Sequence, residues 1–278
     1  MEFRTIIDIP HSAFQIEPHD EVLFVGSCFA TEIGRRFQQE QFPTTVNPYG
    51  TMYNPASVLH TIERSLPLSP SQAGVKPTWV FITLGTNHVY REKATGEIVD
   101  NCQKRPAALF QEELLSVEEC AGYLQQCVNV LRHYNPEVHI VFTVSPIRYK
   151  KYGYHESQLS KATLLMAVEK VVNHQLYYFP AYEIMMDELR DYRFYAADMI
   201  HPSEQAVDYI WERLVETYFS ASAKQWLADW HPVKQALNHR PFNAESEEYR
   251  AFMDKTMLKV EELRKKYPTF ARQKLEIT

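Results

Sequence analysis

The chain has 278 residues and a mass of 32.6 kDa, with 45% hydrophobic and 23% charged residues. That composition belongs to a packed globular protein and excludes a disordered or low-complexity chain; the length allows one large domain or two small ones. Lys and Arg total 29 against 35 Asp and Glu, a net charge of −6, so the overall balance does not attract nucleic acid or an anionic membrane.

In chain order, Glu21 to Gly26 (EVLFVG) reads as a buried strand bounded by polar and small residues. Phe29 to Gln39 follows as a helix, with Ile33 and Phe37 inward, and Phe42 to Val46 as a second short strand. Asn54-Pro55 opens a helix, with Asn as cap and Pro in the first turn. Thr78 to Leu84 (TWVFITL) is a strand stopped by Gly85, and His88 to Asp100 a polar hairpin turning at Thr95-Gly96. Ser116-Val117-Glu118-Glu119 is a capping box for a helix reaching about His133. His139 to Val144 (HIVFTV) is another buried strand, Ser157 to Gln175 a long helix, Leu176 to Phe179 a last strand and Ser203 to Phe219 a closing helix. Apolar strands alternating with helices predict a parallel sheet covered on both faces, a three-layer α/β/α fold, over residues 1–219. Residues 220–278 are rich in Trp and charge. Glu245 to Lys266 has Tyr249, Phe252, Met253, Val260 and Leu263 at helical spacing, which predicts a helical appendage packed on the core or on a second subunit.

The four cysteines, at 28, 102, 120 and 127, contain no C-x-x-C pair, which argues against a zinc ribbon or a dithiol motif. Cys120 and Cys127 share a helical stretch and are expected in the core. The N-terminus shows no secretory h-region, and no apolar run reaches the roughly 18–20 residues a membrane span needs. A soluble, cytoplasmic protein is expected. There is no G-x-G-x-x-G, no Walker lysine motif and no metal-ligand spacing, so no nucleotide or metal cofactor is expected.

Chemistry in an open parallel sheet gathers at the carboxyl ends of the strands. The segments there are Gly26-Ser27-Cys28, Asn47-Pro48-Tyr49-Gly50, Gly85-Thr86-Asn87-His88, Ser145-Pro146-Ile147-Arg148 and Asp198-Met199-Ile200-His201-Pro202. A thiol at the head of a helix sits in partial positive charge, which favours a thiolate nucleophile; a buried, inert Cys in a small-residue turn is the plainer alternative. Asp198 and His201, three apart, can form the orienter and base of a triad. Asn87 and Gly50 are candidate oxyanion donors. Arg148 and His155 are candidate substrate contacts, with a surface ion pair as the plainer reading of Arg148, and Lys161 reads as a structural partner.

Taken together these segments resemble the SGNH (GDSL-like) hydrolases. The string Gly26-Ser27-Cys28-Phe29-Ala30 is similar to the signature of the GSCFA family within that superfamily, and Asn47-Pro48-Tyr49-Gly50, Ser145-Pro146-Ile147-Arg148, Ser160-Lys161-Ala162 and Phe179-Pro180-Ala181-Tyr182-Glu183 are similar to its other motifs. The resemblance covers about residues 20–218 and implies a flavodoxin-like SGNH fold. It places Cys28 at the nucleophile's position and Ser27 where the superfamily has Asp, with Ser27 as the fallback nucleophile. It also implies an oxyanion hole of the Cys28 and Gly50 N–H groups and Asn87, and an acid–base pair of Asp198 and His201. His88 stands where the pattern has an Asp.

The implied activity is hydrolysis or transfer of an acyl group on an O-acylated carbohydrate or small ester. A Cys nucleophile would form a thioester, which suits transfer at least as well as hydrolysis. Two other readings stay open: a non-catalytic glycan- or peptide-binding domain that keeps the cleft, and a thiol redox role. No nucleic-acid or membrane partner is expected, and a homo-oligomer through the C-terminal helix is compatible with the pattern.

Overall fold

The computed structural model describes residues 4–66, 76–102, 104–173, 175–243 and 245–267. Five strands form the main sheet: β1 (Val22–Gly26), β2 (Thr44–Val46), β3 (Trp79–Leu84), β7 (His139–Val144) and β8 (Leu176–Tyr178). All pairings are parallel and the order is β2-β1-β3-β7-β8. Numbered among the parallel strands alone, this is the 2-1-3-4-5 order of flavodoxin-like folds, and the order reverses between β1 and β3. Three further strands, β4 (His88–Glu92), β5 (Ile98–Val99) and β6 (Phe110–Leu114), make a small antiparallel sheet.

Helices cover both faces, as the apolar strands require. Alternation along each strand separates two cores. Leu23, Val25, Val80, Ile82, Ile140 and Phe142 face α2 (Pro55–Ser65), α3 (Val117–Tyr134) and α4 (Tyr154–Val171). Val22, Phe24, Trp79, Phe81 and Val141 face α1 (Cys28–Gln39) and α6 (Glu204–Tyr218). Cys120 and Cys127 are fully buried in the first of these cores. The expected caps are in place: Asn54 Oδ1 accepts from Ser57 N at 2.9 Å, and Ser116 and Glu119 close a reciprocal capping box.

Three elements have bounds that the sequence pattern does not mark. β6 carries little apolar signal, because only Phe110 of its five residues is buried. α5 (Ala181–Glu183) runs directly into a π-helical turn, Ile184–Glu188. α7 (Ala221–Leu237) tolerates Pro232 inside it. α7 and α8 (Glu247–Lys266) lie on the α1 side of the sheet. Trp226, Trp230, Val260 and Leu263 belong to the same apolar cluster as Phe24 and Phe81. The two indole N–H groups donate to the Glu40 and Gln39 carbonyls at 2.7 and 3.0 Å, closing the C-terminal end of α1. Lys234 also pairs with the Glu40 carboxylate.

Candidate functional site

The turn from β1 into α1 is built by close approach. Gly26 has φ +138, and a Cβ there would lie 2.0 Å from the Thr83 carbonyl oxygen, so β1 and β3 draw together where only glycine fits. Asn47 pins this turn from the β2 side: its Oδ1 accepts from Gly26 N at 2.9 Å and its Nδ2 donates to Thr31 Oγ1 at 3.0 Å. Ser27 then caps α1. Its hydroxyl is buried, accepts from Phe29 N at 3.2 Å, lies 3.0 Å from Thr83 Oγ1 and is bonded to Ser145 Oγ. A hydroxyl so enclosed is a structural knot between β1, β3 and β7, which removes the fallback role expected of Ser27.

Cys28 is the first residue of α1 and is partly buried. Burial pushes its thiol up to about 11. The N–H groups of Cys28 and Phe29 and the charge of Lys161 act in the opposite direction, while Glu32 adds to the rise. Burial raises the nearby Tyr53 and Tyr149 as well, whose rings lie 6.0 Å apart edge to face.

Asp198 and His201 form the pair that their spacing predicts. His201 Nδ1 lies 2.7 Å from Asp198 Oδ2, and Asp198 Oδ1 accepts from the N–H groups of Ile200 and His201 at 2.9 and 3.0 Å. These bonds, the His201 ring first, hold the Asp198 carboxyl down at about 2. Both side chains are half exposed. Two arginines set where the pair sits. Arg148, just past β7, donates its backbone N–H to the Ile200 carbonyl and Nη1 to the Met199 carbonyl, both at 3.1 Å. Arg36, buried on α1, bonds Asp208 on α6 through Nε at 3.0 Å and Nη2 at 2.7 Å, and approaches Glu204 at 3.8 Å. The His201 turn is therefore tied to the end of β7, and the helix that follows it is tied to α1. No hydrogen bond joins the Cys28 thiol to His201 among the described residues.

Other expected site residues are engaged elsewhere. The Gly50 N–H donates to the Asn47 carbonyl at 2.8 Å, closing an exposed turn at φ +90, so it is not a free oxyanion donor. Asn87 is buried; its Nδ2 donates to the Leu115 carbonyl at 2.7 Å and its backbone N–H to Ser160 Oγ at 3.0 Å, so its side chain links β3 to the start of α3. Gly50 and Asn87, two of the three expected oxyanion donors, are thus engaged in hydrogen bonds within the fold. His155 is exposed on the first turn of α4 and does not line the cavity described next. His88 stacks on Tyr152 at 3.6 Å, with Nδ1 3.1 Å from Glu112, and burial lowers its basicity.

A cavity of about 280 Å³ opens beside the end of β7, between the start of α4 and the α5–π turn. Its lining includes Arg148, Ser157, Lys161, Tyr182, Met185 and Tyr195. Lys161 was legible as an inward residue, three before Leu164 and seven before Val168 on one helical face. Its partners were not: Nζ donates to the Gly85 carbonyl at 2.7 Å and the Ser145 carbonyl at 2.8 Å, bridging the ends of β3 and β7. Burial lowers this amine to about 7, and the nearby Cys28 is the group that raises it. Among the described residues, no cluster of His, Cys, Asp and Glu has a metal-binding arrangement, and no helix is long and apolar enough to cross a membrane.

The molecule is thus a doubly wound α/β/α protein whose thiol, imidazole–carboxylate pair and buried amine follow the carboxyl ends of its parallel strands. The chain belongs to the GSCFA family: the family profile matches residues 21–76 and 68–214, and that of the GSCFA domain protein, C-terminal domain, matches residues 230–276. No curated protein matches. Solved structures similar to it include a member of the lipolytic protein G-D-S-L family from Veillonella parvula, at 11% identity over 71% of this chain and 97% of that one, TM-score 0.47. A carbohydrate esterase family 3 protein from Talaromyces cellulolyticus is also similar, at 11% identity over 76% and 99%, TM-score 0.43. A family two carbohydrate esterase from Clostridium thermocellum, solved in complex with cellohexaose, is similar at 12% identity over 72% and 64%, TM-score 0.41.

Proposed function

We propose that the protein is an acyl-processing enzyme of the SGNH kind, acting on an O-acylated carbohydrate or small ester through Cys28. The observation that carries this reading is the Asp198–His201 pair, oriented at 2.7 Å and tied through Arg148 to the strand rim that also presents Cys28. Asp198 fixes Nδ1 and leaves Nε2 for proton transfer. The thiol and the imidazole meet when substrate binds; apo sites often hold such pairs apart. His201 then takes the thiol proton as sulfur attacks the acyl carbon. The C–O bond breaks, the leaving alcohol takes the proton from His201, and the acyl group remains as a thioester on Cys28. Water or a second hydroxyl, deprotonated by His201, attacks the thioester and releases the thiol. The N–H groups at the head of α1 support the oxyanion.

Wild type, Cys28→Ala and His201→Ala are to be compared on p-nitrophenyl acetate, acetyl-CoA and an acetylated oligosaccharide, with acid-quenched intact mass to detect an acetyl adduct. The expected result is an adduct on Cys28 in wild type and loss of turnover in both variants. Equal turnover by wild type and Cys28→Ala would remove Cys28 from the mechanism. One observation favours a second reading, a glycan- or peptide-binding domain: burial keeps the thiol protonated, up to about 11. That reading expects ligand binding with no adduct on any substrate.

A further inference from the structure

The cavity beside β7 holds two cations that no carboxylate neutralises. Lys161 is only 2% exposed, and its two hydrogen-bond partners are neutral carbonyls. An ammonium has three donors, so one is left over, and the Tyr182 ring in the cavity wall stands 5.9 Å from Nζ. Arg148 likewise bonds only a carbonyl, that of Met199, while its guanidinium lies 4.1 Å from the Tyr154 ring and 5.4 Å from the Tyr195 ring. Among the described residues neither cation forms an ion pair. The other charged groups of the lining have partners of their own: Asp191 bonds Arg193 at 2.9 Å, and Arg190, exposed, lies 3.8 Å from Asp187. The cavity therefore carries an uncompensated positive charge at its base and on one wall. Met185, Met186 and Leu189 supply the apolar remainder.

A buried cation without a counterion is unfavourable, and the fold retains one here. We propose that this cavity is an anion subsite in which Lys161 and Arg148 receive the carboxylate of a small, partly apolar ligand. The planar guanidinium fork matches a carboxylate. The apolar wall matches a short hydrocarbon chain, which inorganic phosphate lacks. As a substrate subsite this deepens the acyl-transfer reading and rests on it: the substrate class becomes an ester or thioester whose acyl or alcohol part ends in a carboxylate. Anion binding itself does not depend on Cys28. Because burial holds the Lys161 amine near 7, a bound carboxylate raises its proton affinity, and the protein takes up a proton as the anion enters.

The test is isothermal titration of the full chain with succinate, monomethyl succinate and inorganic phosphate, slightly above neutral pH, in two buffers of different ionisation enthalpy. Succinate is expected to bind with proton uptake. Arg148→Gln and Lys161→Met are expected to weaken it by about tenfold or more, as loss of a charged hydrogen bond does. Uptake should vanish in Lys161→Met. If that variant does not fold, the Arg148→Gln affinity and the wild-type proton uptake decide. Cys28→Ala should bind succinate as wild type does even if it has no turnover, which separates this inference from the acyl-transfer reading. The proposal is overturned if no carboxylate binds wild type, if phosphate binds and the carboxylates do not, or if binding is unchanged in Arg148→Gln and involves no proton.

Discussion

Lys161→Met is the most informative single change for stability, because its effect depends strongly on pH. The folded protein lowers this amine from 10.5 to about 7, so between those values the unfolded chain holds a proton that the folded one lacks. Stability from this group therefore rises with pH through that window and is flat below it, where both states are protonated. The gap is about three and a half powers of ten in proton affinity; at about 1.4 kcal/mol each, it amounts to on the order of 5 kcal/mol at most. Methionine removes that penalty but strands the Gly85 and Ser145 carbonyls, at a cost of roughly 1–3 kcal/mol each. Near neutral pH the two effects nearly cancel. Towards pH 10.5 the penalty on wild type has gone, and the variant should be less stable by several kcal/mol. Urea unfolding of both proteins at a series of pH values across this window measures the difference, and other titrating groups largely subtract out. Parallel curves, with a constant difference from neutral to alkaline pH, would refute the claim that Lys161 is a buried cation with neutral partners.

Three further outcomes are expected. Iodoacetamide should label Cys28 well before Cys120 and Cys127, which are fully buried. The Cys28 rate should climb with pH towards about 11; peptide mapping by mass spectrometry reads it. Asp198→Asn should lower acyl turnover by about a hundredfold or more through loss of the Nδ1 anchor, with little change in melting temperature, since both side chains are half exposed. In wild type, the stabilisation from that pair is fully present above the ordinary carboxyl value of 3.8 and is lost only as the pH falls through about 2. Gly26→Ala should destabilise the fold by about 3 kcal/mol or more, because its Cβ meets backbone and not a movable side chain; soluble yield and urea unfolding would show it, and an unchanged midpoint would contradict the geometry.

Much of this was legible in the sequence where the signal is local. The runs EVLFVG, TWVFITL and HIVFTV are strands because continuous apolar residues suit a sheet buried on both faces, and β1, β3 and β7 fall within them. The Asp198–His201 contact spans three residues, so spacing alone could suggest it. The roles of Gly50, Asn87 and Lys161 depend on backbone carbonyls brought from other loops, and no pattern in the sequence marks which carbonyl an N–H group will meet. The same applies to the cavity: its wall from Tyr182 to Tyr195 comes from a π-turn and irregular chain, without the periodicity that reveals a helix or strand. β6 escaped because a small sheet outside the main core needs few apolar residues.

The indole contacts at the end of α1 bear on how the protein is made. Trp226 donates to a carbonyl 186 positions earlier in the chain, so α1 is sealed at its tail by residues that leave the ribosome long after it does. Until those residues emerge, the last turn of α1 has exposed carbonyls and an uncovered apolar flank. The thiol at the opposite tip is then carried on a helix secured only at its front. Nascent chains arrested before Trp226 should therefore present Cys28 to passing electrophiles more freely than the finished protein does.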